Sequence, residues 1–203
     1  MRQVTGSNRY PLYKDVSIQF TLGGHSFSAP VLSDEVLQSS EKVLLEVITP
    51  RVTLVPREAF DNAIADKYLA TVGLHCQDDE VCVCSEMQAP IIAVMAIKGE
   101  TLKSIVDALG SRACFTSPLL DQSHDATGGL YVQIIESCCF VRYYKESLRV
   151  AEAFEVASAE ELLYRLATLC DGVADGANTP IYINGDKQYT KALKRYFVKV
   201  VCE

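Results

Sequence analysis

The sequence predicts an α/β protein built as two similar halves, each a small sheet of strands carrying crossover helices. Three observations lead there. The chain of 203 residues has room for two units of about 100 residues each. Its apolar residues, 49% of the total, fall into strand-length runs and into helical i, i+3, i+4 patterns. Read in order, those runs give strand-strand-strand-helix-strand-helix-strand in the second half. The first half gives the same order with one extra strand near Val81, although the halves share no obvious residue identity.

Each element has its own local reason. Val16 to Leu22 reads as a strand, and Gly23-Gly24 as a tight hairpin turn because glycine supplies positive φ. The return strand runs from about Ser26 to Leu32. Lys42 to Ile48 and Val52 to Val55 are further strands. Pro56 is expected to open a helix with Phe60, Ile64 and Tyr68 on one face, closed by Gly73. Glu80 to Ser85 alternates as a strand does, and Ile91 to Ile97 is apolar on both faces, as a buried strand is. A helix from Glu100 to Leu109 places Leu102, Ile105, Val106 and Leu109 together and ends at Gly110, and Ala113 to Thr116 is a short strand.

The polar stretch from Ser117 to Gly129 is the predicted boundary. It divides the chain into a flexible N-terminus (1–10), a first half (11–117), a linker (118–129) and a second half (130–203). Leu130 to Ile135, Phe140 to Lys145 and Leu148 to Val156 are three strands joined by short turns. Ser158-Ala159-Glu160-Glu161 is a capping box that starts a helix with Leu162, Leu163, Leu166, Ala167 and Cys170 on one face, ended by Gly172. Pro180 to Ile183 is a strand. Lys187 to Phe197 is a helix with Tyr189, Ala192, Leu193 and Tyr196 inward, and Val198 to Cys202 is the last strand.

Composition narrows the function classes. The net charge is −7, with an isoelectric point near 5.0, so a broad basic footprint for direct nucleic-acid binding is missing. No run approaches the roughly 18 apolar residues of a membrane helix, and Met1 to Ser7 lacks the apolar core of a signal peptide. A cytoplasmic location without membrane attachment is therefore expected, with the eight cysteines as thiols.

Leu54-Val55-Pro56 with the Phe60 helix, Ala96-Ile97-Lys98, Leu130 to Tyr144 and Ile181 to Phe197 carry a resemblance that spans most of the chain. In these stretches the sequence resembles the actin-like superfamily of actin, sugar kinases, Hsp70-type chaperones and pilus-assembly ATPase-like proteins. Within it, the sequence is similar to an uncharacterised family of Bacteroidetes proteins. The resemblance implies two ribonuclease-H-like halves with ATP and magnesium held between them. Residues 118–129 depart from the pattern, being short for the helix that usually links such halves.

That resemblance places a phosphate-gripping turn in each half, built from an aspartate and glycines. Glycine lets backbone N–H groups approach phosphate, and magnesium needs a hard carboxylate. In the first half the corresponding turn is Thr21-Leu22-Gly23-Gly24-His25, which keeps the glycines and lacks the acid. In the second it is Glu136-Ser137-Cys138-Cys139, which keeps a longer acid and lacks glycine. On the adenosine side, Asn184-Gly185-Asp186 retains one glycine of a pair. The cofactor-site residues carried over are thus Gly23, Gly24, Glu136, Ser137 and Gly185, read as a vestigial nucleotide cleft. The plainer reading makes them ordinary turns, with no cofactor and no catalytic residue.

Other constellations favour structural roles. Cys82 and Cys84 share a strand face near His75 and Cys76, but the C-x₂-C pairs of a zinc site are absent, and Cys138-Cys139 point oppositely. None of His25, His75 and His124 lies in a nucleophile motif. Lys187, Lys191, Lys194 and Arg195 form a basic stripe and Asp78-Asp79-Glu80 an acidic loop, both expected to be solvated. Three functions follow as expectations: a non-catalytic actin-like protein acting through a protein partner or a homodimer, a weak ATPase or small-molecule kinase using Glu136, and an adaptor using the basic helix.

Overall fold

In the computed structural model the described residues are 13–21, 38, 41–121 and 128–202, with the backbone alone for 13–21. The expected N-terminus, the Gly23-Gly24 hairpin and its return strand lie outside them. The chain divides into two compact units, Met1–Ser123 and His124–Glu203.

The second unit follows the expected order. Strands β7 (Gly129–Ile135), β8 (Cys138–Tyr144) and β9 (Leu148–Glu155) form an antiparallel meander. The chain continues through helix α3 (Ala159–Val173), strand β10 (Ile181–Asn184), helix α4 (Lys187–Leu193) and strand β11 (Val200–Cys202). The strands lie in the order β11-β10-β7-β8-β9, with β10 parallel to both β7 and β11. Alternation along the strands puts Leu130, Val132, Val141 and Tyr143 on one face. There they share a core with Leu162, Leu166 and Cys170 of α3 and with Tyr189 and Leu193 of α4. Burying one such leucine contributes about 1.5–3 kcal/mol. β8, buried at all seven positions, is the middle of the meander.

The serine caps the helix as read, while the glutamate reaches past the N-cap to the residue before it. The Glu161 N–H donates to Ser158 Oγ (3.1 Å), and the Glu161 carboxylate accepts from the Ala157 N–H (3.0 Å). Two helix ends differ from expectation. Gly172 does not stop α3, which continues to Val173 because the Ala174 N–H still bonds the Cys170 carbonyl (3.0 Å) and Ala174 packs on the core. Tyr196 does not face inward. α4 ends at Leu193, the following turns are tighter, and Phe197 takes the buried place. Tyr196 instead donates its hydroxyl to Asp171 (3.1 Å), tying the end of α4 to α3.

The first unit departs from the expected meander. β1 (Tyr13–Thr21) and β2 (Lys42–Ile48) run parallel, and β6 (Ala113–Thr116) continues the parallel sheet in the order β1-β2-β6. Residues 22–41 are long enough for the crossover that parallel pairing requires. β3 (Val52–Pro56) leaves this sheet. It pairs antiparallel with β5 (Ile91–Lys98), which also pairs with β4 (Glu80–Cys84), giving the order β3-β5-β4. A single parallel bridge between Ser85 and Phe115 joins the two sheets. β5 is buried at six successive positions, as its unbroken apolar run implied.

Two helical readings change here as well. Pro56 ends β3 instead of opening a helix. Short 3₁₀ turns at Arg57–Ala59 and Asn62–Ile64 precede helix α1 (Ala65–Thr71), because Phe60 is extended and Asp61 restarts the turn by accepting from the Ala63 N–H (2.9 Å). Helix α2 (Gly99–Leu109) buries Ile105 and Leu109 against Val43 and Leu45, whereas Val106 stays 49% exposed one position off that face. No described helix is long and apolar enough to cross a membrane.

Candidate functional site

Glu136 and Ser137 are the two residues of the β7–β8 hairpin, since Ile135 pairs with Cys138 across it. Both are exposed. Glu136 has φ +53°, the only positive φ of a non-glycine residue among those described. With Ser137 at negative φ, the signs match a type II′ turn, which favours glycine at its first central position. The Ser137 carbonyl accepts from the Val156 N–H (2.8 Å), so the turn is tied to the end of β9.

Gly185 follows β10 at the same end of the sheet. Gln133 pairs with Asn184, and a Cβ on Gly185 would lie 3.2 Å from Ile134 Cβ. The fold thus brings Glu136, Ser137 and Gly185 to the carboxyl ends of two adjacent parallel strands, where open α/β sheets place their ligands. Gly23 and Gly24 lie outside the described residues. Taken alone, this turn supplies one group that a magnesium triphosphate requires, a carboxylate, and has no glycine to admit phosphate to the backbone.

At the opposite end of these strands, Gly129 (φ +150°) sits beneath Tyr182: a Cβ there would come within 2.8 Å of the ring and 2.9 Å of the Pro180 carbonyl. Tyr182 stacks on Tyr131 (centroids 4.8 Å apart, 11°), and Lys199 Nζ lies 5.8 Å from the centroid of the Tyr182 ring. Period-two spacing places Tyr131 on a strand face but gives no sign of this stack.

The acidic loop is corrected. Glu80 is buried and forms a two-point ion pair with Arg51, one contact being Nε to Oε2 at 3.0 Å. It also accepts from the Gln77 N–H (2.9 Å). Asp79 pairs with Lys98, a hydrogen bond that holds its carboxyl below the usual range. Asp78 remains exposed. Lys187, Lys191, Lys194 and Arg195 are all exposed, a solvated face as expected.

All eight cysteines are free thiols. Cys82 and Cys84 pack with Cys76 against one small core of Val55, Leu69, Val94 and Ala96, and the Cys76 and Cys82 sulfurs are 3.3 Å apart. Burial pushes the Cys82 thiol up to about 12 and raises that of Cys84. Among the described residues, no three His, Cys, Asp or Glu side chains are grouped to hold a metal.

No protein-family model matches the chain, and no curated protein does either. Among solved structures it is similar to a protein of unknown function with an actin-like ATPase fold from Bacteroides thetaiotaomicron. The match has 16% identity and a TM-score of 0.70, covering 84% of this chain and 72% of that one. This chain has an actin-like ATPase fold. Weaker likenesses, each with a TM-score of 0.38, are to an AlfA filament bound to AMPPNP and to the cytoplasmic domain of EpsL, an inner-membrane component of the Vibrio cholerae type II secretion system. The first has 14% identity and covers 79% of this chain and 51% of the other; the second has 15% identity and covers 73% and 66%. The actin-like chain is thus assigned by fold, at an identity that leaves its activity open.

Proposed function

We propose that this actin-like chain is a non-catalytic protein that works by binding a protein partner or a second copy of itself. Its nucleotide cleft is then vestigial and its place cytoplasmic. The observation carrying this reading is the β7–β8 turn: a glutamate at φ +53° and a serine stand where a phosphate grip would need an aspartate and glycines. The exposed edge supports the binding role. Among the described residues β11 is one of the two outer strands of its sheet, and Val198, 78% exposed, and Val201 lie on it or just before it.

The same reading treats the chain as two reduced ribonuclease-H-like halves. The parallel trio β1-β2-β6 of the first unit is the counterpart of β7-β10-β11 in the second, with β3, β4 and β5 inserted between the second and third members. The kinship with a Bacteroidetes family belongs to this proposal too. Titration with ATP and Mg²⁺ while following thermal unfolding tests it. A native-state ligand at a hundredfold excess over its dissociation constant stabilises by about 2.7 kcal/mol, so an unchanged midpoint is expected and a clear rise would overturn the reading.

A second reading has one observation in its favour. Strained backbone is often kept at working sites, and Glu136 is held in a glycine-like conformation at the same end of the sheet as Gly185, past the carboxyl ends of parallel strands. A weak ATPase or small-molecule kinase would use that carboxylate for magnesium. Glu136→Ala should then abolish magnesium-dependent turnover. Hydrolysis that survives the substitution, or none in the parent protein, removes this alternative.

A further inference from the structure

We propose that Cys76 and Cys82 form a reversible dithiol–disulfide pair, a modification site that ties the loop after α1 to strand β4. Their sulfurs already approach to 3.3 Å, so a bond of about 2.05 Å needs a closure of about 1.3 Å. Separate anchors hold the two residues. The Leu74 N–H bonds the Leu69 carbonyl (2.9 Å), docking the stretch before Cys76 on α1, and Cys82 is paired with Ala96 inside the antiparallel sheet. The turn between them is fixed by Glu80 N–H to the Gln77 carbonyl (2.9 Å) and by the Arg51 pair with Glu80. Both thiols are half-buried, within reach of a small oxidant, whereas Cys138, Cys139 and Cys170 are fully buried.

The oxidant is a low-molecular-weight disulfide such as glutathione disulfide. The Cys76 sulfur, as thiolate, attacks one sulfur of that disulfide and releases one thiolate. Cys82 Sγ then loses its proton and attacks the Cys76 sulfur, forming the internal bond and expelling the second thiolate. The protein loses two electrons and two protons, and the small disulfide becomes two thiols. Burial disfavours the Cys82 thiolate, which leaves the first attack to Cys76.

The test uses the full chain with glutathione disulfide, followed by alkylation and peptide mapping. Trypsin cannot cut between Lys67 and Lys98, so residues 68–98 form one peptide with three cysteines, Cys76, Cys82 and Cys84. Expected is a peptide that has lost two hydrogen atoms, keeps one alkylatable thiol at Cys84, and regains the others with dithiothreitol. The loss should vanish in Cys76→Ser and in Cys82→Ser and persist in Cys84→Ser. Exposed Cys202 reports that the oxidant is active by taking up glutathione. Three alkylatable thiols in that peptide, glutathione retained on Cys76 or Cys82, or a hydrogen loss that survives Cys82→Ser would each overturn the proposal.

Discussion

Glu136 and Gly129 sit at opposite ends of β7 and place opposite demands on a side chain. At φ +53° the Glu136 Cβ crowds its own backbone, which costs an L-residue about 1–2 kcal/mol, offset in part by the greater entropy that glycine loses on folding. Glu136→Gly is therefore expected to raise the unfolding free energy by about 0.5–1 kcal/mol, read from urea titrations. Gly129 is the reverse case, because φ +150° with Tyr182 and Pro180 under 3 Å leaves no place for a methyl group. Gly129→Ala should cost about 2–3 kcal/mol and shift the tyrosine fluorescence as the Tyr131–Tyr182 stack opens. The sequence shows Gly128-Gly129 as a boundary signal only. The close approach depends on Tyr182, fifty-three positions along the chain, which local spacing does not encode.

At the scale of elements, what was legible is what is local. The capping box at Ser158 to Glu161 is a matter of three residues' separation, and its serine cap formed. Its glutamate is held below the usual carboxylate range, chiefly by the Ala157 N–H and then by Arg165 (Nε to Oε1, 3.1 Å). A lowered native value stabilises the fold at neutral pH, and that contribution fades as pH falls from the unfolded value near 4.3 through the native one. Glu161→Gln keeps the acceptor but cannot titrate. Urea midpoints measured from pH 7 down to pH 2 should fall less steeply in that variant below about pH 4.3. Helix ends were harder to read. Whether Gly172 or Val173 closes α3, and whether Tyr196 or Phe197 faces in, is decided by tertiary packing, whereas the late start of α1 after Pro56 follows from the turn that Asp61 restarts.

Across the whole molecule, apolar runs reveal that strands exist but not which strands pair. The order of the second unit could be read because its first three strands are joined by short turns and its last two by strongly patterned helices. In the first unit, period-two alternation is the same whether β2 runs parallel or antiparallel to β1, so the separate β3-β5-β4 sheet was not visible. Nor was the Cys76–Cys82 approach, which needs α1 and β4 in place. The β11 edge carries the association reading, and Val201→Lys should shift sedimentation profiles toward the lighter species by placing a charge where a strand would pair. β5 has a consequence of its own. Bonded to a strand on either side and sheltered at six consecutive positions, its amide hydrogens have no route to solvent short of the unit opening as a whole. Deuterium uptake should therefore come last, among the described residues of that unit, in the stretch from Ile92 to Ile97, making this strand the slowest clock among them.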